Sequence, residues 1–134
     1  MTSAENKQLM QQIFAAMAEG NSKPFVEAMA DDFAWTVMGG TQWSKTYAGK
    51  KAVLGELFAV LSSRIDGRIR TIPDRFLADG DHVVVQAHGN NMTKSGKPYN
   101  NQYCFVFRLE DGKLKELTEY MDTELVTKTL GGAA

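Results

Sequence analysis

Cysteine, histidine and proline are scarce: the chain has one, two and three of them in 134 residues. A lone Cys104 excludes an intramolecular disulfide, so no disulfide framework holds this fold. Cys104 sits inside the aromatic run "QYCFVFRLE", with no base or cation beside it. It reads as a buried structural thiol rather than a nucleophile. His82 and His88 have no thiolates nearby, and Asp31-Asp32 precedes a strand instead of lying in a glycine-bearing calcium loop. No metal and no cofactor are expected. "GG" at 39–40 and Gly49 lack phosphate-cradling patterns, and no serine lies in a nucleophile-elbow context. No apolar run approaches the ~20 residues a membrane span needs. "MTSAENKQLMQQ" has neither the basic nor the apolar region of a secretory signal, so a cytoplasmic protein without a membrane partner is expected. Charge of one sign is lacking too, with 15 basic against 16 acidic residues. The densest basic stretch, with Arg64, Arg68 and Arg70, is broken by Asp66 and followed by Asp74. It reads as a solvated strand edge, and nucleic acid is not expected as a partner.

What is present is an ordinary globular composition, 43% hydrophobic and 23% charged, long enough for one core and too short for two. A single domain over 1–134 is expected. Leu9, Met10, Ile13, Phe14 and Met17 form a helical stripe that starts at Thr2 or Ser3 and stops at Gly20. Ser22 reads as the N-cap of a short helix with Pro24 in its first turn and Phe25, Val26 and Met29 on it. "DDFAWTVM" reads as a strand, "GGTQWSKTYAG" as a loop, and "KKAVLGELFAVLSSRI" as a long helix with Val53, Leu54, Leu57, Phe58 and Leu61 on one side.

The second half reads as strands: "GRIRTIPDRFLA", whose proline suggests an edge or bulge, "HVVVQAHGNNMT", "YNNQYCFVFRLE" and "KLKELTEYMD". Turns at "DG" 79–80, "KSGKP" and "EDG" 110–112 separate them. Asp122 then caps "TELVTKTL", and "GGAA" frays. Helices early and strands late predict an α+β fold, a curved antiparallel sheet wrapped around a long helix as a cone with an inner pocket.

Alternation in the strands sorts the faces. Tyr103, Phe105 and Phe107 share one face, taken as concave; Gln102, Cys104, Val106 and Arg108 share the other. Leu117, Glu119 and Met121 form an apolar face interrupted by one carboxylate. Val83, Val85 and Ala87 oppose His82, Val84, Gln86 and His88, and alternation alone does not decide which set looks inward.

"EGNSKPFVEAMADDFAWTV", "YAGKKAV", "FRLEDGKLKELTEYMD" and the element order make the whole chain resemble the nuclear transport factor 2-like superfamily, in its SnoaL-like, ketosteroid-isomerase-like branch. The resemblance implies the cone fold, an apolar small-molecule ligand and a homodimer formed through the convex sheet face. It also implies what is missing. The general-base aspartate of ketosteroid isomerases is matched by Val37, their oxyanion-hole tyrosine falls near Ile13 and their protonated aspartic acid near Phe105. The Arg-x-Asp pair and last-strand aspartate of limonene epoxide hydrolase-like members read Gln86, His88 and Glu119. SnoaL-like polyketide cyclases carry Gln and His on the matching strand, which places Gln86 and His88 on the inner face.

On that basis the candidate catalytic residues are His88, Glu119 and Gln86. His88 would move a proton, Glu119 would orient or share it, and Gln86 would steady an oxygen. The competing reading is three polar groups lining a pocket. Candidate pocket residues are Trp35, Val37, Trp43, Tyr47, Phe58, Tyr103, Phe105 and Met121. Trp43 and Tyr47 read either as a lid or as staples that hold their loop down. The expected function is isomerisation or aldol-type cyclisation of an apolar oxygenated molecule, against non-catalytic ligand binding or dimerisation on the same fold.

Overall fold

Thr2 starts the first helix through a reciprocal cap. Its hydroxyl accepts from the Glu5 amide at 3.1 Å, and the Glu5 carboxylate accepts from the Thr2 amide at 2.9 Å. The computed structural model describes residues 1–132, so Ala133 and Ala134 of the "GGAA" tail lie outside the described residues. Helix α1 runs Ser3–Ala18 and buries Met10, Ile13 and Phe14. Gly20 ends it at φ 80°, where an added Cβ would come within 2.9 Å of Arg68 Cβ. Helix α2 is Lys23–Ala28, with Pro24 in its first turn. Ser22 stands at the cap position, but the capping bond comes from Asn21, whose Oδ1 accepts from the Lys23 amide at 3.1 Å. Met29, assigned to the helix by sequence, has already turned extended and opens strand β1.

The strands are β1 (Met29–Val37), β2 (Thr46–Ala48), β3 (Ile65–Asp66), β4 (Thr71–Asp79), β5 (His82–Gly89), β6 (Met92–Thr93), β7 (Gln102–Glu110) and β8 (Lys113–Met121). Helix α3 spans 50–64 as an α turn (Lys50–Ala52), a wider π-helical stretch (Val53–Phe58) and an α segment (Ala59–Arg64). Helix α4 is Thr123–Leu130, capped by Asp122, which accepts from the Leu125 amide at 3.2 Å.

Six strands form one curved, unclosed sheet in the order β2-β1-β8-β7-β5-β4, while β3 and β6 pair separately. The meander from β4 to β8 is antiparallel as expected, but β1 joins β8 in parallel, so the sheet is mixed. Pro73 does mark both an edge and a bulge: β4 is one of the two edge strands, and its register slips between Pro73 and Arg75. Helix α1 packs across β4 and β5. From it Phe14 reaches Phe76, Phe105 and Phe107 at ring-centroid distances of 6.0, 5.8 and 5.9 Å.

Register fixes which side chains share a face. Val85, Phe105, Glu119 and Val37 form one row across four strands, and Val83, Phe107, Leu117 and Trp35 form the next. Both rows are buried apart from Glu119, so they line the concave side. Arg75, Gln86, Cys104 and Tyr120 make an outer row.

Candidate active site

A carboxylate with apolar neighbours along its row and its strand has little to bond, and Glu119 finds one partner. The Trp35 indole Nε1 donates to its Oε1 at 2.9 Å from the adjoining parallel strand. Glu119 stands where two cavities adjoin. The larger, about 70 Å³, is walled by Phe14, Phe25, Trp35, Phe58, Tyr103, Phe105 and Phe107, with Leu57, Leu61 and Leu117. The smaller, about 40 Å³, is walled by Val37, Trp43, Tyr99, Met121, Val126 and Leu130. Leu57, Leu61 and Glu119 border both, and among the described residues Glu119 is the only carboxylate in either wall.

Burial disfavours the charged carboxylate and lifts the Glu119 pKa from 4.5 to about 7, while the Trp35 hydrogen bond pulls it partly back. The group therefore exchanges its proton near neutral pH, as a general acid or base requires. Replacing Trp35 with Phe removes the bond that favours the anion. We expect the titration of Glu119, followed by carboxyl carbon NMR, to move above about 7 in that variant.

Beside Glu119 lies a short polar chain. Asn101 is fully buried; its Oδ1 accepts from the backbone amides of Gln102 at 2.8 Å and Asp122 at 3.0 Å. Its Nδ2 donates to the Asp122 carbonyl at 3.1 Å and to the Tyr99 hydroxyl at 3.2 Å. The ring of Tyr103, in the wall of the larger cavity, stacks on Phe105 at 5.0 Å. Burial first, then the nearby Glu119 carboxylate among other neighbours, holds both phenols above their ordinary range. Neither Tyr99 nor Asn101 was singled out from sequence, although both share the odd-numbered parity of Tyr103, Phe105 and Phe107.

The other candidates divide. Trp35, Phe58, Tyr103 and Phe105 line the larger cavity, and Val37, Trp43 and Met121 the smaller. Tyr47 lines neither: it is buried on β2, a strand missed by sequence, and its hydroxyl donates to the Trp43 carbonyl at 2.9 Å. Trp43 is itself tied down, donating from Nε1 to the Gly131 carbonyl at 2.9 Å under the Arg64 guanidinium. The aromatic loop is thus stapled against the chain's C-terminal end in this conformation.

Gln86 and His88 correct the sequence reading. Val83, Val85 and Ala87 are the buried set on β5, at 0, 0 and 2% exposure, so their neighbours point to the convex side. His88 is partly exposed there, its Nδ1 2.9 Å from Asp74 Oδ2. Gln86 borders an open groove with Asp74, Gln102, Cys104 and Tyr120. The sheet separates both from Glu119. The reason is parity: three apolar side chains at alternate positions hold the core face, and a match displaced by one residue reverses every assignment on a strand.

A family model for the SnoaL-like domain matches residues 10–117. No curated protein matches the chain. Among solved structures, an NTF2-like protein from Burkholderia xenovorans is 27% identical over 96% of this chain and 98% of its own, with a TM-score of 0.75. A putative SnoaL-like polyketide cyclase from Jannaschia is 18% identical over 97% and 94%, with a TM-score of 0.79. TerC, co-crystallised with polyporic acid, is 20% identical over 93% and 97%, with a TM-score of 0.78. The last two likenesses are of fold.

Proposed function

From a chain that belongs to the SnoaL-like domain family, we propose a small-molecule enzyme that moves a proton at a carbon beside a carbonyl, with Glu119 as its acid–base group. One observation carries this: Glu119 sits at the junction of two largely apolar cavities, with a single hydrogen bond and a proton affinity poised near neutrality. A carboxylate so placed takes a proton from carbon and returns it to another carbon of the same ligand. The seven aromatic side chains of the larger wall suit a planar, apolar body. That a fold neighbour was co-crystallised with a small molecule supports the pocket as a ligand site. Isomerisation and aldol-type cyclisation both begin with this step. His88 and Gln86 have no part in it, because they lie across the sheet.

The test is exchange of α-protons in a planar ketone such as 2-tetralone, dissolved in D₂O and followed by proton NMR. Exchange is expected with the native protein and to fall at least about a hundredfold in Glu119→Gln, the span typical of a lost general base. Exchange that survives the substitution overturns the assignment. Binding of the ketone without exchange favours the non-catalytic reading.

We propose also that two copies pair through the convex sheet face, which leaves Leu77 and Tyr120 at 55 and 45% exposure. Light scattering on the native protein and on Leu77→Lys distinguishes a dimer that the charge breaks from a monomer that it leaves unchanged.

A further inference from the structure

Arg68, Ile69 and Arg70 lie on the link between β3 and β4, the basic stretch that sequence reads as a solvated edge. Both arginines are exposed, whereas Ile69 is half-buried in the wall of the larger cavity. Ile69 and Phe58 also line a hollow of about 200 Å³, so the two spaces meet at these side chains. Among the described residues Arg68 is the only charged side chain lining that hollow. With Gly67 it also lines a further hollow of about 360 Å³, which adds Arg70 and Asp66. A path thus runs from the cavity that holds Glu119, past Phe58 and Ile69, to Arg68.

Packing holds Arg68 at this rim. An added Cβ on Gly20 would meet Arg68 Cβ, Cδ and Cγ at 2.9, 3.2 and 3.6 Å. The aliphatic stem therefore lies against the turn between α1 and α2, which removes rotamer freedom before any ligand arrives. The guanidinium itself is unused by the protein. Among the described residues, neither the Arg68 nor the Arg70 side chain has a hydrogen-bond or ion-pair partner, and Asp66 pairs with neither. A guanidinium offers five N–H donors in a fork that matches a carboxylate.

Inside the cavity the opposite holds. Above pH 7 Glu119 carries a charge that repels a second carboxylate in the same apolar space. An acid group on a ligand is kept out of the cavity and met outside it by an unpaired cation.

We propose that the ligand enters past Phe58 and Ile69, and that it is a planar apolar ketone with a flexible carboxylate tail held by Arg68. This deepens the proposed function and rests on the larger cavity being the ligand site. Arg68 touches the tail and takes no part in proton transfer. It selects acidic ketones and sets which end of them faces Glu119.

The test uses 2-naphthyloxy-alkanoic acids with tails of two to six carbons, each set against its primary amide. Affinities are read from naphthalene fluorescence at pH 8. In the native protein at least one acid should bind about fivefold or more tighter than its amide, and the preference should shrink in about 0.5 M sodium chloride. Arg68→Gln should abolish the preference and leave amide affinity unchanged. Lys51→Gln removes a charge at the far end of α3 and should keep the preference. The proposal is overturned if no acid exceeds its amide, or if the preference survives Arg68→Gln. It is overturned too if Arg68→Gln weakens acids and amides alike, or if Lys51→Gln acts as Arg68→Gln does. Amides that bind in any of these cases leave the cavity standing as a ligand site. If neither acids nor amides bind the native protein, the ligand site and the tail assignment fall together.

Discussion

Glu119→Gln is expected to stabilise the protein by about 3 kcal/mol above pH 7 and to change its stability little near pH 4. The native state holds this proton up to about pH 7, whereas an unfolded chain releases it near 4.5. Between those values the native state binds more protons than the unfolded one, so stability falls as pH rises. The loss is complete above about 7. Glutamine keeps an oxygen for the Trp35 indole and carries no charge, so the variant lacks that slope. Thermal unfolding should show the melting temperatures converging in acid and separating by roughly 10 °C at pH 8. A native protein whose stability is flat between pH 4.5 and 7 would mean that Glu119 ionises without penalty. A gain in stability on removing the group, together with loss of exchange, marks strain held for function.

Asn101→Ala is expected to cost about 3–5 kcal/mol, enough to leave the protein largely unfolded in mild denaturant. The side chain satisfies two backbone amides and one carbonyl from a site with no solvent access, and joins the start of β7 to the cap of α4. Truncation strands buried donors with nothing to replace the oxygen. Asn6 supplies the contrast. It is 3% exposed and its Oδ1 has no hydrogen-bond partner, so Asn6→Leu should be neutral or mildly stabilising. Urea unfolding of the two variants compares them directly, and equal costs would contradict the assigned roles.

Much of this was legible in order and parity. Helix stripes with capping residues located α1 and α4, and alternation placed Tyr103, Phe105 and Glu119 on one face. Glu119 was conspicuous because it breaks an apolar face, and a charge there needs either a partner or a purpose. Four things were not legible. β2 is three residues long, and the parallel pairing of β1 with β8 joins segments some eighty positions apart, which local pattern cannot register. Tyr99 and Asn101 lie ahead of the regular part of β7, where backbone bonds to Asn91 and Gly89 are joined by the side-chain bonds of Asn101 to Asp122. On β5, an apolar set and a mixed set alternate, and family resemblance selected the mixed one. Burial of Val83, Val85 and Ala87 made the opposite choice, at the cost of Gln86 and His88 as site residues.

Glu119, its carboxyl desolvated at the junction of the two cavities, is poised to trade its proton near neutral pH. Carbon-13 NMR of the glutamate side-chain carboxyls, titrated from pH 3 to 9 and assigned against Glu119→Gln, measures this directly. A midpoint near 7 for Glu119 is the expected result. A midpoint near 4.5 would show a solvated surface-like carboxylate and contradict the account.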